Sequence, residues 1–414
     1  MGVSRSLAER LATRLGPLGD GPFTRLDRLL STVTPNPKRK RIDLALGEPR
    51  GTFPAFVARV VEERMAEWGR YPALRGSVEF REAVVAYLRR RYRLPAGLLH
   101  AERNVVGLSG SREGLFLIAQ VVVPPLHAVT TPPVVLLPNP YYVAYAGAAV
   151  GTNAEPVFVS ATPNTGNLPD YASLPADVLA RTALCYLCTP SNPQGSVAGA
   201  AYLEQLLRLA RAHGFVLAVD ECYGEIYSGQ APVGALEVAA PTGSLDNLVV
   251  FHSLSKRSSV PGLRSGFVAG DEKIISAFVR FRAYAAPTVP GPILAASAAL
   301  WADDEHVAET RAAYNDKFDV AERVLGNRFG FRRPPGTFFL WLDVGNGEDA
   351  ARRLWAEAAL RVMPGAYLSH GEGAANPGHA HVRVALVDDL ATTTDAVERI
   401  VATLGAPDAR AILH

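Results

Sequence analysis

Asn247-Leu-Val-Val-Phe-His-Ser-Leu-Ser-Lys256 is the stretch from which the fold of this 414-residue chain can be predicted. It begins with a short apolar, β-branched run, Leu248–Phe251, which predicts a buried strand. Polar residues and a lysine follow, and a second apolar run, Gly266–Ala269, predicts the next strand. Ligands of open α/β sheets bind beyond the carboxyl ends of the strands. Lys256 therefore stands where a binding site is expected.

Lysine is rare in this chain, which uses arginine for most of its positive charges. Of its 42 basic residues only five are lysines: Lys38, Lys40, Lys256, Lys273 and Lys317. Lys256 alone directly follows an apolar run, whereas the other four stand in polar surroundings. Arginine stays protonated near neutral pH, but a desolvated lysine amine can lose its proton and form a Schiff base. Lys256 is therefore the first candidate for covalent chemistry.

The alternation of short apolar runs and helical patterns extends from about residue 104 to residue 269. Helical patterns such as Arg112–Val122 and Ala201–Ala212 lie between the runs. We therefore predict an α/β fold with a mostly parallel central sheet and helices on both faces. The predicted strands are Val105–Leu108, Val134–Leu137, Pro156–Val159, Ala183–Cys188, Phe215–Val219, Leu248–Phe251 and Gly266–Ala269.

Beyond this region the pattern predicts a second, smaller α+β domain. One helix-like stretch, Ile293–Leu325, leads to two strand-like runs, Thr337–Leu342 and Val382–Val387. The length is sufficient for two domains of roughly 100–200 residues each. We predict an N-terminal arm with part of the small domain in residues 1–46, a large domain in residues 47–292 and the small domain in residues 293–414.

Composition argues against several function classes. The net charge of +2 implies no broad basic face for nucleic acid. No apolar stretch reaches the ~18–20 residues that span a membrane, and the first fifteen residues lack an apolar signal core. Three cysteines predict no disulfide framework and suit a reducing cytoplasm.

Two short motifs have a spacing that could bind a metal or form a redox pair, but we interpret both as parts of the fold without such a function. Cys185 and Cys188 stand three apart in a predicted strand, so their side chains are expected to point to opposite faces. His379 and His381 lie in a Gly/Ala/Pro-rich stretch with no thiol or carboxylate close in sequence. We predict no metal site.

Two further polar segments directly follow apolar runs. Ser109-Gly-Ser-Arg-Glu113 begins a helical pattern, where free backbone N–H groups and the helix dipole can bind phosphate. Asp220 ends another run, and a buried carboxylate requires a partner. The protonated nitrogen of an aromatic ring would be a suitable partner for this carboxylate.

Taken together, these segments resemble class I/II aminotransferases of fold type I, which use pyridoxal 5′-phosphate (PLP). The resemblance covers about residues 23 to 404, with the motifs in the family's order and spacing. It implies a PLP-transferase fold, amino-group transfer between an amino acid and a 2-oxo acid, and a homodimer with shared active sites. The matching motifs are Ser253-Leu-Ser-Lys256 with Arg264 and Gly266, Asp220-x-x-Tyr223, and Ser191-Asn192-Pro-x-Gly195.

The resemblance also implies roles for individual residues. Lys256 would form the Schiff base with PLP and shuttle a proton, while Asp220 would keep the ring nitrogen protonated. Tyr223 and Asn192 would bond the phenolic oxygen of the ring. The remaining cofactor contacts would come from Tyr142, which stacks on the ring, and from the phosphate-binding residues Gly110, Ser111, Arg112 (through its backbone), Ser253 and Arg264.

Three residues match positions that bind the substrate or the partner subunit. Arg383 aligns with the arginine that binds the substrate α-carboxylate as a bidentate pair. Gly47 matches a backbone contact to the same carboxylate. Tyr71 matches the tyrosine that reaches the phosphate of the neighbouring subunit.

Within the family, the run His252–Asp271 and the arm segment Pro22–Leu26 are similar to those of bacterial N-succinyldiaminopimelate aminotransferases. This predicts transfer between N-succinyl-LL-2,6-diaminopimelate and its keto partner with glutamate and 2-oxoglutarate, in lysine biosynthesis. Leu74 and Gln194 depart from the residues usual at their positions, so an aminotransferase with a different substrate is a second hypothesis.

Two more hypotheses keep PLP but change what the protein does with it. One is a β-lyase, oxidase or hydroxylase of a biosynthetic pathway. The other is a PLP-sensing regulator, which would need an attached DNA-binding helix-turn-helix. The ~45 residues before Gly47 leave too little room for that motif.

Overall fold

The computed structural model describes residues 16–285 and 288–405, together with Ser6, Leu7, Glu9 and Leu11. The start of the predicted arm, apart from those four residues, lies outside the described residues. The strands are β1 (Ile42–Asp43), β2 (Val105–Leu108), β3 (Val134–Asn139), β4 (Glu155–Ser160), β5 (Thr182–Cys188), β6 (Val216–Asp220), β7 (Leu248–Ser253), β8 (Gly266–Gly270), β9 (Phe339–Asp343), β10 (Leu360–Arg361), β11 (Met363–Pro364) and β12 (His381–Ala385).

The α-helices of the described residues alternate with these strands in the first two thirds of the chain. They are α1 (Pro22–Leu30), α2 (Phe56–Glu63), α3 (Val78–Tyr92), α4 (Ala101–Asn104), α5 (Ser111–Val122), α6 (Val143–Gly151), α7 (Ala176–Arg181), α8 (Ala200–His213), α9 (Ala235–Ala239), α10 (Leu254–Arg257), α11 (Glu272–Ala285), α12 (Gly291–Ala302), α13 (Glu305–Leu325), α14 (Gly347–Ala358) and α15 (Leu390–Leu404).

The large sheet has the order β2-β8-β7-β6-β5-β3-β4. Its strands pair in parallel from β4 across to β7, and β8 is antiparallel to both of its neighbours. All seven predicted strands are present, with ends that differ by at most two residues. The predicted α/β fold with a mostly parallel sheet is therefore confirmed.

Helices cover both faces of this sheet because its strands are apolar on both sides. Along β3, Val134 and Leu136 belong to one buried cluster, while Val135 and Leu137 belong to another. Helices α3, α8 and α12 contribute to the first cluster, and α5, α6 and α11 contribute to the second. This is the pattern expected of strands in a parallel sheet that is buried on both faces.

The predicted continuous helix Ile293–Leu325 is wrong, because the structure divides it into α12 and α13. Asp303 breaks it by accepting a hydrogen bond from the backbone N–H of His306 at 3.0 Å. An aspartate that bonds a nearby N–H in this way satisfies the first turn of a new helix. Helix α12 packs in the cluster of the large sheet, while the predicted domain division at residues 292/293 stays a prediction.

A smaller antiparallel sheet of order β11-β12-β9 forms in the C-terminal region, as the two strand-like runs there predicted. The short strand β1 pairs in parallel with β10, so the end of the predicted segment 1–46 joins this region. Leu26 of α1 and Leu354 of α14 are fully buried in the same cluster as Leu342 of β9. The arm helix thus packs on the small sheet.

Other expectations concern the membrane, metals and thiols. None of the described helices combines the length and apolarity needed to cross a bilayer. The described residues also contain no group of three or more His, Cys, Asp or Glu that could hold a metal ion. Cys185, Cys188 and Cys222 are buried free thiols. Cys185 and Cys188 belong to different apolar clusters, because they point to different sides of β5.

Leu354→Ala should destabilise the protein by about 2–5 kcal/mol, because this leucine is fully buried and its truncation leaves a cavity. The change in the free energy of unfolding can be measured by urea titration followed by circular dichroism. Leu390→Ala is the matched control, since 45% of Leu390 is exposed. Equal losses in the two variants would contradict the packing described for α14.

Candidate active site

The carboxyl ends of β5, β6 and β7 meet at one edge of the large sheet. Cys188 pairs with Asp220, and Asp220 pairs with Phe251, so the residues that follow these strands start at the same level. Asn192 follows β5, Asp220 ends β6, and Lys256 lies three residues after β7. Ligands of open α/β sheets bind at this edge.

Lys256 lies in the single turn α10, which begins directly after β7. The Ser253 hydroxyl accepts a hydrogen bond from the Ser255 backbone N–H at 3.2 Å and so caps this turn. The Lys256 amine, Nζ, donates to the carbonyl oxygen of Gly47 at 2.5 Å. A Cβ atom at position 47 would lie 2.6 Å from the Phe339 ring, so the close approach requires glycine.

Burial lowers the pKa of the Lys256 amine to about 8. Removal of water from around an ammonium group disfavours its charged form. The positive charge of Arg383 acts in the same direction, whereas Cys222 opposes it. The uncharged, nucleophilic fraction of this amine near neutral pH is therefore larger than that of an exposed lysine, although the protonated form still predominates at pH 7.

Asp220 is a buried carboxylate that the sequence pattern located correctly, at the end of β6. Burial raises its pKa, while hydrogen bonds from neighbouring groups act in the opposite direction. One carboxylate oxygen accepts from the Tyr145 hydroxyl at 2.7 Å, and the other accepts from the Cys222 backbone N–H at 3.1 Å. Both oxygens keep lone pairs that can bind a further donor.

Tyr145 and Cys222 belong to this site, but sequence reasoning missed both of them. Tyr145 lies on α6, three residues after Tyr142, which precedes the helix as its N-cap, and the two rings meet edge-on with centroids 5.6 Å apart. That spacing is a signal that could have been used. The Cys222 thiol interacts with the side chains of Asp220 and Ser111, and it influences the pKa of Lys256. It therefore links the sheet edge to the start of α5.

The start of α5 is shaped as an anion site. Gly110 precedes the helix with φ of +88°, and the first N–H groups of a helix lack partners within it. The Arg264 guanidinium lies over this turn and donates to the Ser109 carbonyl oxygen at 3.1 Å. A Cβ atom on Gly110 would lie 2.4 Å from the Arg264 Nη2 atom. The Arg264 guanidinium and the first N–H groups of α5 thus face the same space.

Ser253 is close to this anion site because β7 and β8 are adjacent. Ser253 pairs with Gly266, and a Cβ on Gly266 would lie 3.3 Å from the backbone nitrogen of Ser111. Gly266 therefore lets the strand end and the helix start come together. The Ser253 hydroxyl lies 3.0 Å from the Ser255 hydroxyl.

Arg383 enters the site from β12 of the small sheet. Its guanidinium donates to the Asn192 side-chain oxygen at 3.0 Å and to the Ala45 carbonyl oxygen at 2.6 Å. The Nε atom is buried without a partner in the described structure. The guanidinium lies 4.4 Å from the Phe339 ring centroid, and burial lowers its pKa to about 10. Such an arginine is a strong site for a carboxylate.

Two tyrosines form walls of the site. Tyr223 packs edge-on against Phe338 and Phe339, with ring centroids at 5.5 and 5.8 Å. The Tyr142 hydroxyl accepts a hydrogen bond from the Arg112 side chain. Arg112 was expected to bind the phosphate through its backbone, and in the structure its side chain also contacts Tyr142.

Tyr71 is the predicted residue that does not lie with the others. Its side chain is fully exposed, with a relative exposure of 102%. The structure therefore brings together the other predicted residues and leaves Tyr71 on the surface. Its predicted contact was with a neighbouring subunit, and that contact stays a prediction.

The geometry defines a site that combines a buried lysine with the anion site at the start of α5. Comparison with known proteins identifies the class of protein. The model of the family Aminotransferase class I and II matches residues 39–400. The chain belongs to this family. It is an aminotransferase that depends on PLP and has the fold-type I architecture.

Known proteins resemble the chain over nearly its whole length. The LL-diaminopimelate aminotransferase of Desulforudis audaxviator is 30% identical, covering 95% of this chain and 98% of the relative. The crystal structure of an aminotransferase from Neisseria meningitidis is 36% identical, covers 95% of this chain and 100% of that chain, and has a TM-score of 0.90. Aminotransferase AspB from Helicobacter pylori is 32% identical over 94% of this chain and 99% of its own, with a TM-score of 0.85.

In the cofactor-free protein, the Lys256 amine should become reactive as the pH rises through about 8, because its neutral form is populated above the lowered pKa. Brief labelling with acetic anhydride at pH 6 to 10, followed by peptide mass spectrometry, gives the profile. Lys273, whose side chain is 86% exposed, serves as an internal reference for the reagent. A midpoint above pH 10 for Lys256 would contradict its burial.

Proposed function

We propose that this aminotransferase moves an amino group between N-succinyl-LL-2,6-diaminopimelate and 2-oxoglutarate, with Lys256 as the residue that anchors PLP and transfers the proton. The role of Lys256 is supported by the environment of its amine. Burial lowers the pKa of this amine to about 8, and the amine donates a hydrogen bond to the Gly47 carbonyl oxygen. No other lysine of the chain directly follows an apolar run at the edge of the sheet.

The residues around Lys256 fit PLP group by group. Asp220 offers a buried carboxylate with free lone pairs, which suits a protonated ring nitrogen. The start of α5 at Gly110, Ser111 and Arg112, together with Ser253 and Arg264, suits the phosphate. Asn192 and Tyr223 would bond the phenolic oxygen, and Tyr142 would stack on the ring. When bound, PLP supplies an electron sink for negative charge that develops at the substrate α-carbon.

The protein groups then have separate tasks. The Lys256 Nζ atom, once uncharged, would take the α-proton of the amino acid and return it in the reverse half-reaction. Arg383 would bind the α-carboxylate through its remaining donors, with Gly47 beside it. Phe338 and Phe339 would keep water away from the proton-transfer path.

Tyr145 would act as a positioning residue for Asp220. Its hydroxyl donates to a carboxylate oxygen of Asp220 at 2.7 Å, which favours the ionised form of that carboxylate. The ionised form is the one that pairs with a protonated ring nitrogen.

The proposal of a diaminopimelate-type substrate has two supports. The relative from Desulforudis audaxviator is named an LL-diaminopimelate aminotransferase, and the run His252–Asp271 resembles that of N-succinyldiaminopimelate enzymes. Gln194, one of the two departures from the usual pattern, lines a small pocket together with Tyr141 and Asn192. Gln194 is therefore close to a residue that would contact the cofactor.

We further propose a homodimer with shared active sites in the cytoplasm. Large apolar side chains are exposed near Tyr71 in sequence, including Met65 at 57% and Trp68 at 48%. Exposed apolar side chains of this kind favour burial against another protein surface. Tyr71 would then reach the phosphate in the site of the partner subunit. The buried free thiols agree with a reducing compartment.

The wild-type enzyme should convert from its PLP form to the pyridoxamine form on addition of N-succinyl-LL-2,6-diaminopimelate, and the spectrum should revert on addition of 2-oxoglutarate. Lys256→Ala should lose turnover by at least about 10⁴-fold, because both the anchor and the proton-transfer amine are removed. It should also lose the absorbance band of the lysine-bound cofactor. Lys273→Ala is the matched control and should keep both.

Different results of this assay would separate the candidate reactions. Conversion with other amino acids alone would contradict the proposed substrate and leave the family activity standing. Ammonia or peroxide produced in place of amino-group exchange would favour a lyase or an oxidase. Turnover and absorbance band retained in Lys256→Ala would contradict the proposed role of the lysine.

Hybrid dimers test the shared site. Tyr71→Ala and Lys256→Ala homodimers should each be weak or inactive, but a hybrid of the two contains one site with both native residues. Activity should therefore rise on subunit exchange to as much as half the wild-type value per dimer. Differently tagged subunits allow the hybrid to be purified and assayed. No rise, or full activity of Tyr71→Ala alone, would contradict the shared site.

A further inference from the structure

We propose that His306 positions Lys256 by holding the turn that carries it, acting through the hydroxyl of Ser258. Asp303 orients the His306 ring for this task. The inference rests on the proposed function in one respect, namely that Lys256 anchors PLP. Sequence reasoning missed all three of these positioning residues. They come together because α12 ends, and α13 begins, beside the turn α10.

The turn α10 depends on the surrounding protein for its stability. It contains only the four residues Leu254–Arg257, too few for a helix that is stable by itself. The Ser258 backbone N–H closes the turn by donating to the Leu254 carbonyl oxygen at 3.0 Å. Among residues 253–260, Lys256 is the only one that is not buried. The turn is therefore held by its buried side chains, and only the lysine keeps access to the site.

The hydroxyl of Ser258 contacts the ring of His306, which lies in the first turn of α13. The His306 Nε2 atom is 2.8 Å from the Ser258 Oγ atom. The other ring nitrogen, Nδ1, is 2.5 Å from a carboxylate oxygen of Asp303. Burial lowers the pKa of His306, which favours the neutral ring. A carboxylate can only accept, so Nδ1 carries the proton of this ring and Nε2 accepts from the Ser258 hydroxyl.

Ser258, His306 and Asp303 have the order of a serine nucleophile, its base and an acid, but the serine is closed to substrate. Ser258 has a relative exposure of 1% and His306 of 7%. A nucleophile has to reach the atom that it attacks. The hydrogen bonds therefore serve to tie the backbone two residues after Lys256 to the start of α13. Loss of either partner would leave a buried polar group unpaired, which is costly.

Arg257 joins the same turn to the same corner between α12 and α13. Its guanidinium donates to the carbonyl oxygens of Leu300 at 2.5 Å and Asp303 at 3.0 Å. It also lies 5.0 Å from the Trp301 ring centroid. The two residues that directly follow Lys256 are thus both bonded to this corner.

A fixed turn determines where the Lys256 amine lies. The amine reaches the Gly47 carbonyl oxygen at 2.5 Å, and its enclosure there lowers its pKa. Release of the turn would let water return to the amine and raise its pKa toward the usual value of lysine. It would also weaken the attachment of PLP, because the anchoring atom would no longer be held in place.

The test follows two properties of the full-length chain. The first is the pH midpoint at which Lys256 is labelled by acetic anhydride in the absence of cofactor, and the second is the Kd of PLP from absorbance titration. Ser258→Ala and His306→Leu should each raise the midpoint by at least about 0.5 pH unit and the Kd by at least about fivefold, as expected for one lost hydrogen bond. Ser258→Ala removes a single oxygen atom, so it provides the measurement should His306→Leu fail to fold.

Three further variants separate positioning from general loss of stability. His306→Gln keeps a hydrogen-bond acceptor for Ser258 and should recover part of both effects. The double variant Ser258→Ala/His306→Leu should shift the midpoint no further than the larger single change, because both act through one hydrogen bond. Leu354→Ala weakens the core around α14 without touching α10, and it should leave the midpoint of Lys256 unchanged.

Each outcome bears on the role of His306. Unchanged midpoints in both single variants would overturn it, and so would additive shifts in the double variant. A shift in Leu354→Ala as large as that in Ser258→Ala would overturn it as well. Mass spectrometry of the borohydride-reduced holoenzyme locates the bound PLP independently. If the midpoints shift as expected while PLP is attached elsewhere than at Lys256, the positioning role stands and the proposed anchor fails.

Discussion

The hydrogen bond from the Lys256 amine to the Gly47 carbonyl oxygen is the contact on which the rest of the site depends. At 2.5 Å it joins the large sheet to the segment that enters the small sheet. It requires a glycine, because a side chain at position 47 would meet the Phe339 ring. The enclosure that results removes water from the amine, and this loss of hydration lowers its pKa.

The site balances charges that would be costly if buried singly. Arg383 loses hydration and is compensated by the Asn192 oxygen and the Ala45 carbonyl. Asp220 is buried as well and is compensated by Tyr145 and the Cys222 backbone. In both cases the compensation is incomplete, since donors or lone pairs remain. Groups that are held in place but keep unused hydrogen-bond donors or acceptors can bind a ligand without first breaking internal hydrogen bonds.

The sequence predicted the sheet well because its strands depend on local pattern, and the same pattern indicated where the candidate site lies. Strands of a parallel sheet are apolar on both faces, so their runs are visible, and ligand residues directly follow them. The break at Asp303 was missed because a helix-forming composition continues through it, and only the side-chain contact to the His306 N–H marks the new start. Tyr145 was missed because its partner, Asp220, lies far away along the chain.

The chain by itself determined its family, its cofactor and the residue types at the sheet edge. The family and the cofactor followed from the resemblance of its motifs to a known family, and the residue types at the sheet edge followed from their positions directly after apolar runs. Only the tertiary structure decided how the arm helix, the large sheet and the small sheet meet. It is this packing that desolvates Lys256, bonds Arg383 to Asn192 and joins His306 to Ser258. The electrostatic properties of these groups arise from contacts between distant segments, and no local pattern encodes them.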